Sequence, residues 1–170
     1  MCDLDMVALI CNIISHESSI NIKQESFLAA IALLLGGNPK SQMSFYKFIQ
    51  EDPENLFVQK VKENINMCYE LIKKSETKRN ILMQKHYSIN NKIEEMTELI
   101  GNPEHQEIKK LEQQLMIVEE EMREMESQYE TADTEVLTPQ RALAYLQIIL
   151  RFMQLLCENH NLDLQNMLRE

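Results

Sequence analysis

Glycine, proline and tryptophan are scarce in this chain of 170 residues, which has three Gly, four Pro and no Trp. The sequence also lacks sustained period-two alternation and the Asn-Gly or Asp-Gly dipeptides that mark β-hairpins. Three glycines are too few for a glycine-rich phosphate cradle, and no G-x-S-x-G nucleophile motif is present. These absences favour an all-α protein, and we expect no enzyme and no catalytic residue.

Long apolar runs and clustered basic charge are missing as well. The longest apolar run, residues 27–35, is far shorter than the roughly twenty residues of a transmembrane helix. We therefore expect no direct membrane span, and the N-terminus lacks the charged region of a signal peptide. The formal net charge of −10 is spread along the chain. Because phosphate binding needs a clustered basic face, we expect no nucleic-acid partner.

The four cysteines show no spacing that is typical of disulfide pairs. Four Cys residues stand far apart and follow no signal peptide, which is typical of reduced thiols in the cytosol. Cys157 and His160 form the one Cys/His pair at ligand spacing, whereas a structural zinc site needs four ligands. We therefore predict neither a zinc site nor any bound cofactor.

Helix starts are marked four times by a capping side chain followed by proline. A cap accepts hydrogen bonds from the first turn, and proline at the first helical position loses no bond. The four pairs are Asn38-Pro39, Asp52-Pro53, Asn102-Pro103 and Thr138-Pro139. Gly36-Gly37 predicts the end of the preceding helix. Between the second and third pairs there is no other proline, which predicts one helix of roughly 45 residues, far beyond the usual length.

Apolar residues recur with alternating spacings of three and four along that helix and again over residues 108–129. Sustained heptads of this kind are typical of a coiled coil. A short turn at residues 101–103 favours an antiparallel hairpin, and a parallel dimer of two chains is the alternative. The antiparallel register pairs Met96 with Ile108, Ile89 with Leu115 and Leu82 with Met122, with His86 near Val118.

The predicted fold is therefore an all-α helical bundle from residues 1–57 and 132–170, with residues 58–131 as a projecting antiparallel coiled-coil hairpin. The helix that starts at Pro139 carries apolar residues on two faces, one with Leu143 and Leu150 and one with Tyr145 and Phe152. This pattern predicts burial on more than one side. Such a bundle would be one or two repeats of a solenoid, and an isolated repeat exposes an apolar face where its neighbour normally packs.

Two stretches of the sequence resemble a known family. Residues 155–161 read LLCENHN, and residues 33–46 read LLLGGNPKSQMSFY, which is similar to a GGN-x-x-x-Q-x-S-F segment. Both resemble the cytosolic homology-associated region of the inositol trisphosphate receptors and ryanodine receptors, and they follow in the family's order. With residues 24–32 they cover roughly a third of the chain. The family usually has a long variable insert between them, where this chain has the patterned hairpin.

The resemblance implies an armadillo-like fold for the helical bundle, a role and two site residues. The glutamate similar in position to Glu158 supplies a carboxylate to the family's cytosolic activating calcium site, and the histidine similar to His160 sits beside it. Calcium prefers six to eight oxygen ligands, of which a carboxylate is the strongest. In the family the remaining ligands come from segments that correspond to positions past Glu170. The resemblance therefore implies an incomplete calcium site, with calcium as a possible ligand.

Two functions follow as hypotheses. The first is a structural and allosteric module of a calcium-release channel, which would couple ligand sensing to the pore. Its partners would be other repeats or subunits of a tetrameric channel, at the cytosolic face of the endoplasmic reticulum membrane. The alternative is a freestanding cytosolic adaptor whose coiled-coil hairpin binds a partner helix.

Overall fold

A computed structural model describes residues 2–100, 106–127, 137–158 and 162–167. All regular structure in these ranges is helical, and the predicted all-α fold is confirmed. The helices are α1 (Cys2–His16), α2 (Ile20–Leu34), α3 (Pro39–Glu51), α4 (Leu56–Ile100), α5 (Gln106–Ser127), α6 (Pro139–Cys157) and α7 (Leu162–Met167). Within these described ranges, none of the helices is both long and apolar enough to cross a membrane.

The predicted starts of α3 and α6 are confirmed by their caps. The Asn38 Oδ1 atom accepts hydrogen bonds from the backbone N–H groups of Lys40 at 3.1 Å and Ser41 at 3.4 Å. The Thr138 hydroxyl accepts one from the backbone N–H of Arg141 at 3.4 Å. These oxygens satisfy donors that have no partner inside the first helical turn.

The predicted end of α2 at Gly36-Gly37 is confirmed as well. The two glycines have φ of +74° and +68°. Residues with a side chain are strained in this left-handed conformation, and glycine adopts it freely, so the two glycines favour the turn after α2.

The start of α4 differs from the prediction. The helix begins at Leu56, three residues after the proline of Asp52-Pro53. The Asp52 carboxylate accepts hydrogen bonds from the backbone N–H groups of Glu54 at 3.2 Å and Phe57 at 3.1 Å. Asn55 lies between them with φ of +50°. The aspartate therefore closes a turn ahead of the helix, and does not cap a helix that starts at Pro53.

The chain comprises two compact units, one formed by Met1–Glu70 with Glu135–Glu170 and the other by Leu71–Thr134. We call them the bundle unit and the hairpin unit. In the bundle unit, α2 packs on α1 and α6, α1 packs on α3, and α7 packs on α6. The first turns of α4, up to Glu70, belong to the bundle unit, whereas the sequence predicted the boundary at residue 58.

The core of the bundle unit is aromatic and centres on Phe152 of α6. Its ring meets Phe27 and Phe45 edge-on with ring centroids 5.4 Å apart, and Phe57 at 6.2 Å. All four side chains are buried. Edge-to-face pairs of this kind stabilise a core beyond the area they bury. Phe152 therefore fixes α6 against α2, α3 and the first turn of α4.

Only one face of α6 is buried. Tyr145 and Phe152 are fully covered, whereas Leu143 and Leu150 leave 48% and 51% of their surface exposed. The expectation that α6 is buried on both sides was wrong, because the helices of the bundle unit pack on the aromatic side of α6. Leu28 of α2 and Leu35, which follows the last residue of α2, are exposed as well.

In the hairpin unit, side chains of α4 and α5 form one apolar cluster. Leu82 of α4 is buried with Val118 and Met125 of α5, and Ile89 and Met122 pack against them. Both members of the predicted pair Leu82 and Met122 belong to this apolar region. The coiled-coil hairpin as a whole stays a prediction, because its turn at residues 101–105 lies outside the described residues.

Candidate functional site

The last turn of α6 is where the two family-like stretches meet in space. The Gln42 side-chain amide of α3 donates hydrogen bonds to the backbone carbonyls of Leu155, at 2.9 Å, and Glu158, at 3.2 Å. Gln42 is only 3% exposed. The last carbonyls of a helix have no partner within it, so a buried helix end needs donors from elsewhere. Gln42 supplies them from 113 and 116 residues away in sequence.

A second amide side chain, on α7, holds the same turn. The Gln165 side chain of α7 donates a hydrogen bond to the backbone carbonyl of Cys157 at 3.0 Å. Glu158 then leaves the helix with φ of −63° and ψ of 160°. Two glutamine side chains therefore fix three carbonyls at the end of α6, and with them the backbone position of Glu158.

The Glu158 carboxylate faces a single cation among the described residues. Its Oε1 atom lies 3.5 Å from the Nη1 atom of Arg151, two turns earlier on α6. The two side chains are 34% and 46% exposed. An ion pair this open to water contributes little to stability, so a metal cation could replace the guanidinium at modest cost. The carboxylate is thus positioned, partly solvated and paired with a cation.

No cluster of three or more His, Cys, Asp or Glu side chains able to hold a metal occurs in the part of the chain that the structure describes. His160, the second predicted site residue, lies outside the described residues. Cys157 is half-buried. A single carboxylate supplies one or two of the six to eight oxygens that calcium takes. The described residues therefore place one carboxylate here, and the calcium role of Glu158 and His160 stays a prediction.

Sequence reasoning missed three residues that shape this site: Gln42, Arg151 and Gln165. Gln42 stood in the quoted GGN-x-x-x-Q motif, yet its contact with α6 depends on how α3 and α6 pack. The Arg151 contact could have been found, because residues seven apart lie on the same side of a helix. Gln165 carries no local signal, since its partner lies across the turn that precedes α7.

Comparison with protein families gives one match at this end of the chain. Residues 140–170 match the family model described as RyR and IP3R Homology associated. The matched range contains α7, nearly all of α6, and Glu158. No solved structure matches the chain. At this coarse level the comparison supports the predicted resemblance: the C-terminal helices are similar to a region associated with ryanodine and inositol trisphosphate receptors.

Proposed function

We propose that this chain is a structural and allosteric cytosolic module of an inositol trisphosphate receptor-like calcium-release channel. The observation that carries the proposal is the family match over α6 and α7, which includes Glu158. In this proposal the chain links ligand sensing to the pore from the cytosolic face of the endoplasmic reticulum membrane. Its partners are neighbouring repeats or subunits of a tetrameric channel.

The exposed face of α6 supports a repeat module. Leu143 and Leu150 lie two turns apart within the family-matched range and are both about half exposed. A helical repeat that stacks on neighbours carries such an apolar stripe where the next repeat packs. We therefore assign this stripe to the contact with an adjacent repeat of the channel.

The two glutamine contacts support an allosteric role for the end of α6. Gln42 joins the backbone of Glu158 to α3, and Gln165 joins the preceding residue to α7. A cation that draws the Glu158 carboxylate away from Arg151 would pull on the backbone at the end of α6, which hydrogen bonds from α3 and α7 hold in place. The displacement would pass to α3 and α7 through these hydrogen bonds, which is the contiguous contact that coupling requires.

Calcium titration by calorimetry tests the proposal, on this chain and on the chain extended by the next domain-sized segment of its gene. The chain alone should bind calcium with a Kd on the order of 1 mM or weaker, as the weakest dedicated sites do. The extended protein should bind at least about tenfold more tightly, and Glu158→Ala should abolish the gain.

Two variants sharpen the titration. Arg151→Gln removes the competing guanidinium and should strengthen calcium binding by the extended protein, whereas Glu126→Ala, an exposed acid of the hairpin unit, should leave it unchanged. The proposed role of Glu158 would be contradicted if the extended protein bound no calcium. It would also be contradicted if Glu158→Ala and Glu126→Ala weakened calcium binding equally. The adaptor hypothesis would then take its place.

A further inference from the structure

The hairpin unit has an open groove between α4 and α5, with a volume of about 550 Å³. Ile81 and Lys85 of α4 form one wall, and Ile117 and Glu121 of α5 form the other. Ile81 and Ile117 leave 49% and 60% of their surface exposed. A two-helix unit buries only the seam between its helices, so the groove presents apolar surface that a further helical element could cover.

The two charged residues that line this groove have opposite sign, with Lys85 on α4 and Glu121 on α5. Residues 73–92 of α4 contain six basic side chains and one acidic one, whereas residues 113–127 of α5 contain five acidic side chains and one basic one. These segments lie beside each other, because His86 of α4 contacts Glu119 of α5 at 3.4 Å. The α4 segment that lines the groove is therefore net basic, and the α5 segment that lines it is net acidic.

This charge pattern is complementary to itself. A second copy facing the groove, related by a two-fold axis parallel to the helices, places its α4 over α5 of the first copy and its α5 over α4. The basic α4 segment of each copy then faces the acidic α5 segment of the other copy, at the same height along the helices. This contact occurs twice, as an isologous interface requires. A two-fold axis across the helices would instead stack α4 on α4 and bring like charges together.

We propose that the groove is a homodimer interface, in which two hairpin units form an antiparallel four-helix bundle. Ile81 and Ile117 of each copy fill the centre, and Lys85 faces Glu121 of the other copy. A face of two helices of about 22 residues covers roughly 650 Å² per copy, near the lower end of stable interfaces. Four-helix bundles are the ordinary way for such hairpins to bury their open side.

Sedimentation of the full chain across concentrations, with helix content checked by circular dichroism, tests the interface. The wild type should be a dimer, and Ile117→Lys should raise the dimer Kd by about a hundredfold or more because it buries a charge at the centre. Met116→Lys is the matched control. Met116 is the neighbouring residue on α5, is 68% exposed and does not line the groove, so this variant should dimerise like the wild type.

Charge exchange tests the two-fold arrangement. Lys85→Glu and Glu121→Lys each create two like-charge contacts in a homodimer, so each should weaken dimerisation by about tenfold or more. An equimolar mixture of the two variants has opposite charges at both contacts and should regain the wild-type dimer Kd. A monomeric wild type, an unaffected Ile117→Lys variant or a mixture that stays dissociated would each overturn the proposal.

Discussion

At the scale of single residues, one amide side chain joins α3 to α6, with Gln42 and Leu155 lying 113 residues apart in sequence. Each hydrogen of the Gln42 Nε2 group has its own acceptor, one on Leu155 and one on Glu158. Removal of such a donor leaves buried carbonyls unsatisfied, and this desolvation penalty exceeds the net value of the hydrogen bond itself.

Gln42→Ala should therefore lower the free energy of unfolding by about 1–3 kcal/mol, measured by urea denaturation. Gln147→Ala on the exposed side of α6 serves as the control and should change it by less than about 0.5 kcal/mol. In the proposed extended protein, Gln42→Ala should also weaken calcium binding, since the Glu158 backbone loses a fixed position. Equal stabilities for the two variants would show that Gln42 does not hold the end of α6.

At the scale of helices, local chemistry sets where the elements begin. Asn38 accepts two backbone hydrogen bonds and Pro39 follows it, so both residues favour the start of α3 at this position. The same pairing at Thr138-Pro139 starts α6. Helix caps are short-range interactions, and their effect can be measured one residue at a time.

Asn38→Ala should destabilise the bundle unit by about 1 kcal/mol, because two N–H groups of the first turn of α3 lose their acceptor. Asn38→Asp keeps an acceptor at the same place and should retain nearly all of the wild-type stability. Chemical denaturation of both variants gives the comparison. A loss in Asn38→Asp as large as in Asn38→Ala would mean that the side-chain oxygen is not the stabilising group.

These helix starts show which parts of the structure the sequence can predict. Caps and turns at Asn38 and Thr138 depend on residues within one turn, so their signals are readable. Asp52 has the same local pattern, but its carboxylate bonds the Phe57 N–H and delays α4, an outcome that the dipeptide alone does not reveal. The exposed side of α6 and the contacts of Glu158 depend on how separate helices pack, which residue spacing along one helix does not determine.

At the scale of the whole molecule, the core holds ionisable groups in their neutral forms. Burial raises the pKa of the Cys68 thiol from its ordinary value of 9.0 to about 11. Burial also raises the pKa of Cys11 and of the Tyr145 phenol. Because each folded pKa lies above the unfolded value, the unfolded chain loses these protons first as the pH rises. Their contribution to stability is complete below pH 9 and is lost as the pH approaches the folded values.

The free energy of unfolding should therefore fall between pH 8 and pH 10.5, measured by urea denaturation with a reducing agent present. Cys68→Ala should remove roughly 2 kcal/mol of that decrease, because the thiol whose pKa burial raises is no longer present. The slope of the unfolding free energy against pH is compared between the wild type and Cys68→Ala. This comparison separates the pH effect from the cavity that the substitution leaves. Identical slopes would contradict the role of the Cys68 thiol.

The bundle unit is assembled from two separate pieces of sequence, and this affects how the protein is made. A ribosome completes residues 71–134 before it adds Phe152, so the hairpin unit, whose contacts are closer in sequence, can form first. Until α6 emerges, Phe27, Phe45 and Phe57 have no aromatic ring from that helix to pack against. A nascent chain paused before residue 139 therefore presents three aromatic side chains that lack their partner on α6, the kind of surface that chaperones protect during synthesis.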